Sequence, residues 1–261
     1  MTLSFDNLMT LAALGLLIVL RFDARRFGAA DFDDEAQITD WRVWARRLTW
    51  YGLGILLVFV CYFVFVQPET LLHLKLGEPR PTAILAGLGT GLLGGAAAAA
   101  YAWWRFGQFN LPDLRAYPVG LLSSVATAFI DEAAFRGVLL GLLLFSNWPP
   151  IYAVAFQAVV YALATRLGGA GRPRGLLGLW LVMGLVNGGL TFITGGIGAA
   201  LLAHALTRFA VFVATGHAGQ VTPSAASQEE DREEVDTSDQ GGLDAVPERA
   251  PGSSSYLRPI E

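Results

Sequence analysis

The sequence predicts an all-α, polytopic integral membrane protein: a bundle of about seven transmembrane helices, N-terminus outside and C-terminus in the cytoplasm. Three observations predict it. Apolar residues make up 54% of the 261-residue chain and charged ones only 15%, with a mean hydropathy of +0.48. A single soluble core of this length could not hide that much apolar surface. The apolar residues also fall in repeated runs near the roughly 20 residues a helix needs to cross a bilayer. Finally, arginines concentrate in alternate connecting loops.

The first run, 3–20, has neither a basic leader nor a small-residue cleavage site, so a retained span is expected, not a signal peptide. The loop 21–47 holds Arg21, Arg25, Arg26, Arg42, Arg46 and Arg47, which places it in the cytoplasm. Trp41 and Trp44, beside Arg42, Arg46 and Arg47, read as an interfacial helix on the inner leaflet. Spans follow at 48–66 and 82–104. The second of these carries Gly87, Gly91, Gly95 and Ala99, a small-residue stripe that suits close helix packing. The fourth run, 117–146, is long enough to tilt or to project beyond the bilayer. The last three lie at 149–165, 176–194 and 196–215, with Gly184 and Gly188 again read as packing residues. Arg105 and Arg115, and then Arg166, Arg172 and Arg174, fall in the other cytoplasmic loops, while the outer side holds Lys75 and Arg80.

After Thr215 the chain is polar and acidic without periodicity, and disorder is expected. The organisation is thus 1–116, N-terminal helices with a cytoplasmic interfacial loop; 117–215, the functional core; and 216–261, an acidic tail. The formal charge of −4 comes from acids gathered in two soluble segments, around 31–35 and 229–239. The lone Cys61 excludes a disulfide framework. No nucleotide-binding glycine loop, zinc-finger spacing or basic patch is visible, so the expected partner is the lipid bilayer and not nucleic acid. A multi-pass protein of a bacterial-type cell membrane is the expected setting.

The fourth run contains FIDEAAFRG, which puts Asp131, Glu132 and Arg136 in the middle of an apolar helix. Glu132 and Arg136 are four apart and share a face, with the acid first, the favourable order for an ion pair. Asp131 is turned away by about 100° and aligns with Ser124 and Thr127, facing an expected hydrated pocket and open to chemistry. Three charges could simply lock helices together, but ionisable groups at mid-membrane are functional candidates by default. In the last run His204 and Arg208 share a face. His204 lies about 11 residues from its cytoplasmic end and Asp131 about 14 from its own, depths that differ by about 5 Å. The two are therefore expected to meet. An acid and an imidazole so placed can deprotonate a water or share a divalent metal ion such as zinc. Arg208 also has a plainer reading, snorkelling toward the cytoplasm.

DEAAFRG resembles the first motif, EExxxR, of the CPBP family, which contains type II CAAX prenyl endopeptidases and bacteriocin-processing or immunity proteins. YALAT, 161–165, takes the place of its second motif, FxxxH, and AHALTR resembles its third, HxxxN. The resemblance covers about 117–212 in the right order. It implies an intramembrane endopeptidase that hydrolyses a peptide bond in a membrane-associated peptide or protein substrate. Carried over by position, Asp131 is the base that activates water, Glu132 and Arg136 support it, and His204 is a polariser or metal ligand. Thr165 and Arg208 stand at substrate-binding motif positions. The sequence departs from the pattern at three of these: Asp131 replaces Glu, Thr165 replaces His and Arg208 replaces Asn. Those departures support an alternative, a catalytically inactive member that binds membrane proteins as a scaffold or immunity factor. A proton-coupled transporter would use the same acids, but no inverted repeat supports it.

Overall fold

A computed structural model describes residues 5–25, 27, 41–64, 75–107, 109, 111, 112, 114, 117–167 and 176–215. Within the described residues each of the seven apolar runs falls mainly on helix. These are α1 (Phe5–Phe22), α2 (Trp41–Phe59), α3 (Arg80–Phe106), α4 (Tyr117–Glu132), α5 (Leu140–Phe145), α6 (Pro150–Leu167), α7 (Leu176–Thr194) and α8 (Gly198–Thr215). The fourth run is α4 and α5 joined without a break through a π-helical segment, Ala133–Leu139. A shorter π turn, Val60–Val64, continues α2.

Three stretches, Trp44–Tyr62, Arg80–Trp104 and Leu177–Thr194, are long and apolar enough to cross a membrane. Leu11–Phe22, Pro150–Thr165 and Gly198–Ala214 are apolar but shorter. The α4–α5 run has the length but carries three charges at its middle. The bundle is inverted relative to a soluble core: Leu93 on α3 is 74% exposed, while Asp131 is 1% exposed. Its outer faces suit a lipid solvent, and its polar groups lie within.

Small residues set the tight contacts. A Cβ added at Gly87 would lie 2.7 Å from the Ala199 carbonyl oxygen, and one at Gly95 2.7 Å from the Ala210 Cβ. The glycine stripe of α3 therefore faces α8, as packing requires. Gly184 and Gly188 do the same for α7 against α6, where Gln157 Nε2 donates to the Gly184 carbonyl at 2.8 Å. The α7–α8 turn needs Gly195 at φ 65°. At its neighbour Gly196 a Cβ would collide with the Lys75 carbonyl oxygen.

Two expectations change near the first loop. Trp41 begins α2 itself, so the described residues show no separate interfacial helix; nothing between Trp44 and Leu48 breaks the helix. Arg42 and Arg47 stack over Trp41 and Trp44 at 6.0 and 5.7 Å. Arg21 is not a loop residue: it sits in the last turn of α1 and is buried. Trp50 Nε1 donates to the Leu20 carbonyl at 2.8 Å, tying this end of α1 to α2. The acidic stretch 31–35 and the tail 216–261 lie outside the described residues.

Candidate active site

The acids of α4 sit where the helix widens. The π segment begins at Ala133, directly after Glu132, and such i→i+5 turns leave carbonyls with altered partners. Here the Tyr62 hydroxyl, from the π turn that follows α2, donates to the Ala133 carbonyl at 3.4 Å. Gly137 makes room for that ring, since a Cβ there would overlap the hydroxyl.

Glu132 is the hub. Its Oε1 accepts from His204 Nδ1 at 2.7 Å and from Asn187 Nδ2 at 3.0 Å. Its Oε2 faces Arg136 Nε at 3.3 Å, an ion pair without hydrogen-bond alignment. A carboxylate only accepts, so the His204 tautomer that suits this contact carries its proton on Nδ1. In that tautomer Nε2 is the acceptor nitrogen, with the Tyr161 hydroxyl 3.5 Å away. The Arg136 guanidinium lies 4.1 Å over the Tyr161 ring, and Phe135 meets the same ring edge-on at 5.3 Å. All of Glu132, Arg136, Tyr161, Asn187 and His204 are buried. The expected Glu132–Arg136 pair is present, but it is not self-contained.

Asp131 is placed differently from expectation. It does not meet His204, and it does not line the cavity that His204 borders. Arg21 Nε is 3.1 Å from its Oδ1, again without hydrogen-bond alignment. The stripe below it is closed too. Tyr51 bonds Ser123 at 2.8 Å and Thr127 at 3.2 Å, and Ser124 donates back to the Gly120 carbonyl at 2.7 Å. The physical reason is rotation: one residue turns the helix by about 100°. Depth matched the histidine to this level of α4, but azimuth gave it to Glu132.

A cavity of about 410 Å³ lies between α3, α6, α7 and α8, and His204, Tyr161, Asn187, Thr165 and Arg208 line it. Asp131, Glu132 and Arg136 do not. Thr165 is buried one turn beyond Tyr161, because α6 runs on to Leu167. Sequence reasoning missed Tyr161 and Asn187. The signals were a tyrosine at an otherwise apolar motif position and the single Asn inside the seventh helix.

A zinc site would need at least three protein ligands. Among the described residues no three His, Cys, Asp or Glu side chains cluster. His204 with Glu132 falls one ligand short, and Arg136 and Asn187 already face the carboxylate.

Residues 113–210 match the family model described as Rce1-like, type II CAAX prenyl endopeptidase Rce1-like. The resemblance read from the three motifs is thus shown at family level over that stretch. No curated protein and no solved structure matches the chain.

Proposed function

We propose that the protein is a multi-pass intramembrane endopeptidase that hydrolyses a peptide bond in a membrane-associated substrate with His204 as base. The seven helical runs, α4 and α5 counted as one, are its spans, with the N-terminus outside and the C-terminus in the cytoplasm. The observation that carries the reading is the orientation of His204, held at Nδ1 by Glu132 while its ring borders the cavity. A positioned imidazole with a carboxylate behind it is a recurrent general-base arrangement.

The chemistry follows from that geometry. Nε2 takes a proton as water adds to the carbonyl carbon, and Glu132 stabilises the imidazolium that forms. The developing oxyanion meets the positive charge of Arg208, on the same cavity wall. The imidazolium then returns its proton to the amide nitrogen as the C–N bond breaks. One product is a carboxylic acid and the other an amine. Asp131, paired with Arg21 instead of the cavity, is a structural acid in this reading.

The second reading, a non-catalytic member that binds membrane peptides, draws on Thr165 and Arg208 lining the cavity in place of His and Asn. One experiment separates the two. The full chain in detergent is offered a panel of membrane-tethered fluorogenic peptides, with and without 1,10-phenanthroline. Chelator-resistant cleavage lost in His204→Ala and kept in Asp131→Asn is expected. Loss in Asp131→Asn with survival in His204→Ala would return the base to Asp131. Cleavage only after Thr165→His with Arg208→Asn would favour the binding reading, and loss to chelator would require a metal.

A further inference from the structure

The cavity has chemistry that reaches beyond the peptidase step. Three guanidinium groups, Arg21, Arg136 and Arg208, share this buried region with two carboxylates, Asp131 and Glu132. The first two are ion-paired with those acids. Among the described residues no carboxylate pairs with Arg208, although Arg21 and Asp131 lie within its electrostatic reach. Arg208 is 8% exposed and its Nε has no hydrogen-bond partner. It borders the cavity, and no cavity-lining side chain is acidic. A buried cation without a counter-ion is costly, and an anion supplied from outside would offset that cost.

The rest of the cavity specifies what carries the anion. Its walls are mostly apolar, from Leu93 and Ala97 on α3 to Val182, Met183 and Val186 on α7. Leu93, Val182 and Val186 are themselves exposed. The cavity therefore opens sideways between α3 and α7, toward the side that lipid would occupy. At about 410 Å³ it lies near the small end of ligand cavities, about 300–1,000 Å³, which suits one chain better than two.

We propose that this cavity binds a single-chain anionic amphiphile, with the head group on Arg208 and the tail along the α3–α7 wall. The ligand enters laterally from the bilayer and competes with any peptide for the His204 face. The proposal needs the membrane placement of the helices but not catalysis, so the two readings fail separately.

The test uses the full chain in a neutral maltoside detergent. Tritiated oleate is the probe, and unlabelled oleate, oleoyl lysophosphatidate, oleyl alcohol and two-chain phosphatidylglycerol are the competitors. Saturable binding of one oleate per chain is expected. Arg208→Lys should retain it, and Arg208→Gln should weaken it by roughly tenfold or more, as for a lost charge-assisted contact. Val182→Trp, which narrows the side opening without touching charge, should weaken it too. Stronger competition by oleate identifies a carboxylate head group, and by lysophosphatidate a phosphate; both support the site. Wild-type affinity in Arg208→Gln overturns it, as does equal competition by oleyl alcohol. No saturable binding, or tight phosphatidylglycerol binding unaffected by Val182→Trp, also overturns it. If Arg208→Gln fails to fold, Val182→Trp and the alcohol competition still decide.

Discussion

On the side of α4 that faces α1 and α2, Asp131 meets Arg21, and Tyr51 bonds Ser123 and Thr127. On the side that faces α6, α7 and α8, Glu132 meets His204 and Asn187 next to an open cavity. The two acids are consecutive in sequence and both fully buried, yet their neighbours divide their work. The first side has a partner for its charge, which is how a chain locks helices. The second gathers donors around one carboxylate beside a cavity that the histidine lines, which is how a site prepares a base. Burial alone did not distinguish them; the neighbouring helices did.

The largest expected effect is on the cavity side. His204→Ala should lower peptide cleavage by roughly 10²–10⁴-fold, the range for loss of a general base. Glu132→Gln should come within about tenfold of that loss, because a neutral amide no longer fixes the Nδ1–H tautomer. It should also destabilise the fold by about 3–5 kcal/mol, since Arg136 keeps its buried charge without the acid. Cleavage assays and thermal unfolding in detergent measure the two losses. Cleavage in Glu132→Gln near the wild-type rate would erase the contrast between the two acids.

Much of this contrast was legible before the structure, and the rest was hidden for a definable reason. Apolar run length located the α-helices among the described residues, and the stripe of Gly87, Gly91 and Gly95 correctly signalled a tight partner. Rise along an axis is fixed by residue count, so the shared level of His204 and the acids could be counted. Which acid the ring would face depends on how α4 is rotated against α8. That is set by contacts between distant residues, such as Gly120 against Phe212. Arg21 was hidden by the same logic: an arginine at the end of an apolar run reads as a loop residue until a buried acid is seen beside it. Tyr161 shows the third limit, a hydroxyl whose value depends wholly on what stands 3.5 Å away.

The closed side should respond in stability more than in rate. Asp131→Asn leaves Arg21 buried without its counter-charge and should cost about 3–5 kcal/mol, with cleavage per folded molecule changed by less than about tenfold. Replacing both partners, as Arg21→Met with Asp131→Leu, should recover most of that stability, because an apolar pair of similar volume removes both desolvation costs. A double-mutant cycle on unfolding reads the coupling. Additive single and double effects would mean that the 3.1 Å contact is incidental, and the locking role of that side would be lost.

The smallest effect tests the finest point of the comparison. Tyr161→Phe keeps the ring that lies under Arg136 and against Phe135, and removes only the hydroxyl beside His204 Nε2. At 3.5 Å that contact is at the limit of a hydrogen bond, so it trims the imidazole's setting without defining it. Cleavage should fall only roughly two- to tenfold, and the unfolding temperature should not move. Tyr161→Ala, by contrast, strips the cation–π contact and should lower stability by about 2 kcal/mol or more, because that cation is desolvated. A loss in Tyr161→Phe as deep as in His204→Ala would place the hydroxyl among the reacting groups. The base would then be a tyrosine–histidine–glutamate chain and not an imidazole held by one acid.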